Sequence, residues 1–446
     1  MIVLLKILQV VLALGILIII HESGHYFFAK IFHIKVEKFY LFFDAGGFRL
    51  FSTKNNKLLR RLFPRLKDAE TDYGIGWLPL GGYCKICGMV DESLDTKMLE
   101  SEPEPWEFRA HPAWQRLLVL FGGVFFNFLL AIAVYAGLLA ANGRTYIANE
   151  GNSIYTNEVS EELGFRTGDK ILRFDDYEPE DFGMLQPDLA RRCPRTATVL
   201  RGNDTVTLYI DNSLIGKVLK SPGVFSLAVP FVIDTLAEDS PNAGCALKHG
   251  DELLSVNGSP VGYVQDSKSL LMENASSAVD AKVLRGKDTL EMKLRVDSLG
   301  RIGVYTLIPG VRTREYTLLS AIPAGISMTF SNIGGYVRDL KLVFNPSTEA
   351  YKSLGSFISI GRVFPSVWDW AAFFSILALL SIMLGVMNLI PIPGLDGGHI
   401  LFTLYEMITG RKPSDRFLII MQYIGMALLI LLMLLAFGND ITSLFR

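Results

Sequence analysis

His21-Glu22-Ser23-Gly24-His25 closes an apolar run, Ile2 to Ile20, that only Lys6 and Gln9 interrupt. A helix needs ~20 apolar residues to cross a bilayer, and this run supplies them. Ionisable groups at that depth are costly unless they are paired or ligated. The pattern is H-E-x-x-H, and positions i and i+4 share one helix face. His21 and His25 are therefore candidate ligands of one Zn²⁺, and Glu22 is the candidate general base for the water that the metal activates. Two histidines satisfied by neighbouring helices is the plain alternative.

Composition widens the membrane reading. Of 446 residues, 50% are hydrophobic, and the mean hydropathy is +0.33. Four stretches are apolar enough to span: about 2–29, 117–141, 370–395 and 417–437. The first is not expected to be a cleaved signal, since removal would discard the histidines. A net charge of −2 argues against a nucleic-acid partner. Four cysteines (Cys84, Cys87, Cys193, Cys245) are too few for a disulfide framework. Cys84-Lys-Ile-Cys87 reads as structural.

Charge sets the expected orientation. Lys30 to Lys67 carries ten Lys or Arg against two acids, Glu37 and Asp44. Short basic loops stay cytoplasmic, so span 1 runs from outside to inside. Arg411, Lys412 and Arg416 after span 3 agree. Both termini and the long stretch 142–369 then fall outside, and the histidines lie toward the cytoplasmic side.

The loop region 30–113 contains Tyr73-Gly-Ile-Gly-Trp-Leu-Pro-Leu-Gly-Gly-Tyr83, apolar but too broken to cross as a helix. It predicts strands joined by a tight turn, dipping toward the membrane. The acidic stretch Asp91–Glu107 reads as a solvated connector. Span 2, placed at 114–141, carries Gly122, Gly123 and Asn127, read as packing residues. Farther on, Gly168-Asp169 recurs as Gly250-Asp251, and Arg201-Gly202 as Arg285-Gly286. Two copies of a β-rich module follow, about 146–212 and 223–308. Leu318–Phe344 mixes polar with apolar residues and predicts an amphipathic, interface-lying segment within 318–363.

Span 3 closes on Asn388-Leu-Ile-Pro391-Ile-Pro393-Gly-Leu-Asp396-Gly397-Gly398-His399. Spans 1 and 3 cross in the same sense, so Asp396 can meet His21 and His25. A catalytic zinc takes three protein ligands and keeps one position open, and two histidines with a carboxylate meet that count. Pro391 and Pro393 break the helix, while Gly397-Gly398 permit a close turn. The competing roles are a helix cap for Asp396 and ligation by His399, which reads as a surface histidine. His33, His111 and His249 have no partners nearby in sequence.

H-E-S-G-H, N-L-I-P-I-P-G-L-D-G-G and the two G-D modules together resemble the site-2 protease family, an M50-like group of zinc endopeptidases. The closest likeness is to its bacterial regulator-of-sigma-E branch, with tandem PDZ domains, and it spans nearly the whole chain. The resemblance implies a polytopic α-helical membrane protein with four transmembrane helices, a membrane re-entrant β-loop and two PDZ domains on the outer side. It implies Zn²⁺ held by His21, His25 and Asp396, with Glu22 as catalytic base. Asn388 and the loop residues Gly81, Gly82 and Tyr83 would hold substrate, and residues 355–360 would precede the third span. Two departures stand out: Gly122-Gly123 where Gly-Pro is usual, and Phe43-Asp-Ala-Gly46 in place of a glycine-rich G-F-G. Implied partners are the lipid bilayer and single-span membrane proteins already trimmed outside, such as an anti-sigma factor or leftover signal peptides. The implied location is the bacterial cytoplasmic membrane, with the PDZ domains periplasmic. A PDZ scaffold without activity and a metal or proton transporter are the other classes. An intact Glu22 opposes the first, and the absence of inverted repeats opposes the second.

Overall fold

The computed structural model describes residues 2–54, 56, 70–79, 81–89, 102–343 and 357–444. Two compact units form: Met1–Gly143 with Glu315–Lys341 and Tyr351–Arg446, and Arg144–Arg314 with Leu342–Ala350. Among the described residues, four helices are long and apolar enough to cross a membrane: Ile2–Ile31, Ala113–Asn142, Trp370–Leu389 and Arg416–Asp440.

In the first unit, α1 (Ile2–Ile31) leads into a four-stranded sheet of β1 (Val36–Leu41), β2 (Arg49–Ser52), β3 (Asp72–Gly76) and β4 (Tyr83–Ile86). The strand order is β2-β3-β1-β4. The expected tight hairpin within 73–88 is not what forms. β1 lies between β3 and β4, parallel to the first and antiparallel to the second. The loop's ends pair with a strand outside it, a long-range choice that a short window of sequence does not encode. Asp72 holds the far side, accepting from the Tyr40, Ser52 and Thr53 hydroxyls and from the Lys54 N–H.

The bundle continues with α2 (Ala113–Asn142), α3 (Leu318–Val343), α4 (Phe357–Val363), α5 (Trp370–Leu389), α6 (Asp396–Thr409) and α7 (Asp415–Leu444). Two findings correct the sequence reading. First, α5 ends at Leu389 rather than 395, because Pro391 and Pro393 cannot continue the ladder. Second, α3 does not lie apart on a surface. Met328, Ile333 and Tyr336 pack on the cluster of Ala131, Tyr135, Ala378 and Ile382. Gly325 makes this possible, since a Cβ there would press on the backbone of Ile132 and Ala136. Residues 57–67 of the basic segment, most of the acidic connector (91–101) and residues 355–356 lie outside the described residues.

The second unit contains both β-rich modules. Each has its own core, one around Phe165, Phe174, Leu185 and Leu189, the other around Leu253, Val256, Val279 and Val283. The repeated residues do the same job twice. Arg201 grips Asp169 through Nε and Nη2, both at 2.8 Å, and Arg285 grips Asp251 at 2.7 Å in the same way. Each arginine also donates to a loop carbonyl, of Gly164 or Ala246. The boundary expected at residue 212 is too early. Phe225–Leu227 pairs antiparallel with Ile154–Thr156 and so completes the first module. The strands that open and close the unit, Arg144–Ile147 and Val311–Arg314, pair with each other.

Asp251 is 1% exposed, and the Arg285 fork holds its carboxyl below the ordinary carboxylate range. A depressed carboxyl pKa contributes stability above the unfolded value, about 3.9 for aspartate, and loses it as pH falls through the folded value. In the full chain, Asp251→Asn should speed amide exchange in 252–256 and 278–285 at pH 7. The difference from wild type should shrink below about pH 4. Equal protection at neutral pH would show that the ion pair contributes nothing.

Candidate functional site

α1 carries His21 and His25 one turn apart, both buried. Their imidazole Nε2 atoms lie 3.3 Å from each other. Asp396, the first residue of α6, brings Oδ2 to 3.3 Å from His21 Nε2 and 3.4 Å from His25 Nε2. The N-cap position belongs to Leu395, so the carboxylate turns to the histidines instead of capping its own helix. Three ligands at ~2.1 Å in a tetrahedron stand about 3.4 Å apart, and these edges match that figure. Asp396 Oδ2 is otherwise buried with no hydrogen-bond partner, as suits an atom shaped for a cation. Among the described residues, this is the one His/Cys/Asp/Glu trio placed for a metal.

The ring nitrogens pointing away from this centre are held. His25 Nδ1–H donates to Val119 O at 2.9 Å, which leaves the Nε2 lone pair bare. His21 Nδ1 faces the Asn127 amide at 3.1 Å, while the oxygen assigned to that amide is buried and unpartnered. Amide nitrogen and oxygen are told apart by their partners. Turning the amide over places its oxygen on an Nδ1–H, the tautomer that leaves His21 Nε2 free for a metal. Such outer partners fix tautomer and ring orientation in metal sites. Asn127 was read from sequence as a packing residue; its signal was an amide inside an apolar span. Ser381 of α5 donates to the Asn127 carbonyl at 2.8 Å, tying α2 to α5 at the same level.

Glycines bring the helices together here. A Cβ on Gly24 would fall on the Gly122 backbone, and one on Gly123 would strike both imidazoles. The Gly122-Gly123 departure thus lies against the histidines themselves. On the other side, Cβ atoms on Gly397 and Gly398 would collide with the carbonyls of Ile390 and Ile392. The turn that aims Asp396 is therefore as tight as its sequence suggested.

A cavity of about 860 Å³ opens onto this centre. Glu22, Asn388, Gly81, Gly82 and Tyr83 all line it, together with Lys38, Asp44 and Gln422. Cys84 of β4 lines the same cavity as Glu22, and β4 is an edge strand, so its edge away from β1 borders the catalytic candidate. Asn388 Nδ2 stands 3.4 Å from His21 Nε2. Tyr83 donates to Asp44 at 2.8 Å and receives from Lys38 at 3.3 Å, and its ring stacks on Tyr40. His399, expected at the surface, is half-buried in the cavity wall but outside the ligand trio. His111 sits between the carbonyls of Glu107 and Phe32. His249 pairs with Asp234 in the other unit. Burial pushes the Cys87 thiol up to about 12, which supports a structural role for it.

This arrangement of an H-E-x-x-H helix, an aspartate on the turn after a later span and a roomy cleft defines a metallopeptidase site on a membrane-helix scaffold. The chain belongs to peptidase family M50, the site-2 protease family, whose profile matches residues 9–432. It is similar to a Rickettsia conorii protein named "Putative zinc metalloprotease", 27% identical over 99% of each chain. A Neisseria meningitidis protein with that name is 28% identical, covering 98% of this chain and 99% of its own. A Treponema pallidum protein, also so named, is 27% identical over 99% of this chain and all of its own.

Asn127→Leu keeps the branched shape of the side chain and removes the bond to His21. Metal affinity should fall by ~10–100-fold, as for other outer partners of metal-bound histidines. Zinc titration against a competing chelator measures it; unchanged affinity would return Asn127 to packing.

Proposed function

We propose that the protein is an intramembrane zinc metalloprotease that cuts transmembrane segments of single-span proteins. The three-atom centre with edges of 3.3, 3.3 and 3.4 Å, set beside Glu22 in a cleft, carries this reading. Zinc held by His21, His25 and Asp396 would supply an acidified water and polarise the scissile carbonyl. Glu22 takes the proton from the attacking water and returns it to the leaving amine. Asn388 offers its amide at the reacting carbonyl or the adjoining peptide.

A helical substrate hides its carbonyls in its own hydrogen bonds, so the scissile segment must unwind. β4 is an edge strand of its sheet, and its edge away from β1 borders the cavity. An unwound segment added there recovers backbone bonds in place of those it lost. Gly81 and Gly82 let the loop approach closely, since Cβ atoms would meet Phe43 and Ile18. The chain would sit in the bacterial cytoplasmic membrane with the site toward the cytoplasm, in keeping with the basic flanks of spans 1 and 3. The two β modules would be periplasmic PDZ-type domains acting as a steric filter, so that substrates enter after an outside cut. An anti-sigma factor or remnant signal peptides fit that class.

Two substitutions separate binding from chemistry in the purified full-length protein with a tagged single-span substrate. Asp396→Asn should lose bound zinc and abolish cleavage; full zinc occupancy would remove Asp396 from the ligand set. Glu22→Gln should keep its zinc while turnover drops by at least ~10²–10⁴, the range for a lost general base. Near-normal turnover would mean that Glu22 does not move the proton.

A further inference from the structure

The helix α7 is apolar from Phe417 to Phe437 except for Gln422 and Tyr423, and Gln422 is the one side-chain amide in that stretch. Gln422 is 2% exposed and lines the active-site cavity. It makes no hydrogen bond within the protein among the described residues. Lysines of the wall are engaged, Lys38 with Asp44 and Tyr83 and Lys85 with Glu37. A buried amide without a partner costs a few kcal/mol on transfer scales, roughly 1–3 from mutational data. Apolar residues would serve better at this position if it faced only lipid or packed side chains.

Its aim is fixed by the neighbouring turn. Gly425, three residues on and on the same helix face, packs against Pro393 and Gly394 so closely that a Cβ would fall on the Pro393 carbonyl. Gly394 itself adopts φ +95° to allow the approach. The segment that delivers Asp396 therefore sets the rotation of α7, and that rotation turns Gln422 into the cleft.

We propose that Gln422 is a substrate-binding residue that hydrogen-bonds a peptide group of the unwound segment. The inference rests on the protease reading above. The side chains of a transmembrane substrate are mostly apolar and offer no hydrogen bonds, so only its backbone does. A segment paired to β4 satisfies one edge and leaves the other edge's N–H and C=O bare in an apolar cleft. A carboxamide carries one donor group and one acceptor, the complement of a peptide unit, and recognises it whatever the sequence. Gln422 would thus add affinity without adding side-chain specificity.

The test uses full-length protein in detergent, the tagged single-span substrate and two zinc-directed probes. One is an apolar tripeptidyl hydroxamate, which has a backbone; the other is acetohydroxamate, which has none. Gln422→Met keeps the length of the side chain and removes the amide. Its zinc content should equal wild type, KM and the tripeptidyl hydroxamate Kd should rise about five- to tenfold, and the acetohydroxamate Kd should not move. Gln422→Glu, nearly isosteric but lacking the donor, should weaken the peptidyl probe likewise, and it serves if the Met variant does not fold. Equal peptidyl-probe affinity in a zinc-loaded variant overturns the inference. A matching loss for acetohydroxamate also overturns it, since Gln422 would then act on the metal centre. Wild-type protein that holds zinc and cuts nothing sinks the protease reading, and the inference falls with it.

Discussion

Close approach of two apolar helices is the constraint on which the site depends. Two imidazoles and a carboxylate do not dissolve in a membrane-like interior; they persist there when each polar atom has a partner. The partner of His25 Nδ1 is a backbone carbonyl of α2, and that of His21 Nδ1 is Asn127 of the same helix. Both bonds require α2 to lie against α1 at the level of the histidines. Gly24 facing Gly122 provides this, and Gly123 leaves the space that the imidazoles fill. In lipid, small residues at a helix contact replace the hydrophobic effect with backbone packing. Here the same glycines also orient the metal-ligand candidates.

The carboxylate arrives by a different device. An uninterrupted helix through 389–396 would carry Asp396 onward along its axis. Instead α5 stops at Leu389, the chain runs through Pro391, Pro393 and Gly394, and α6 restarts at Asp396. Gly397 and Gly398 let the new helix lie on the end of the old one. On α6, Glu406 pairs with Arg116 of α2 in a largely buried contact. The helix that presents Asp396 is thus anchored to the one that orients His21 and His25. All three ligand candidates refer back to α2.

The sequence was most legible where function writes a local pattern. H-E-x-x-H needs only the helical period, and the helix-breaking prolines with Gly397-Gly398 announced a turn that aims Asp396. The charge of the loops predicted that spans 1 and 3 run in one sense, and the meeting of their polar ends is consistent with it. Legibility failed where the partner is remote. Nothing near Val36–Leu41 says that this strand will part Asp72–Gly76 from Tyr83–Ile86. Nothing after residue 212 says that Phe225–Leu227 returns to Ile154–Thr156. The Gly-Asp and Arg-Gly repeats were visible, but their meaning, a buried carboxylate gripped by the same arginine in both modules, needed the hairpins to be folded.

The polar residues of the apolar helices divide by what they face. Gln9 donates to Pro365 O at 3.2 Å and ties α1 to the start of the third span. Ser381 donates to the Asn127 carbonyl, and Asn127 turns to His21. Thr329 returns its hydroxyl to Gly325 O within α3. Asn388 reaches His21 from α5. Gln9, Ser381 and Thr329 show in the sequence only as small anomalies in hydropathy, Asn127 reads there as a packing residue, and Asn388 stands out through the family motif. The structure separates the cases by direction: Gln9, Ser381 and Thr329 bond to backbone, while Asn127 and Asn388 converge on His21. A polar side chain in a span is thus informative through the atom it meets, and where it meets a cavity, the missing partner belongs to whatever fills that cavity.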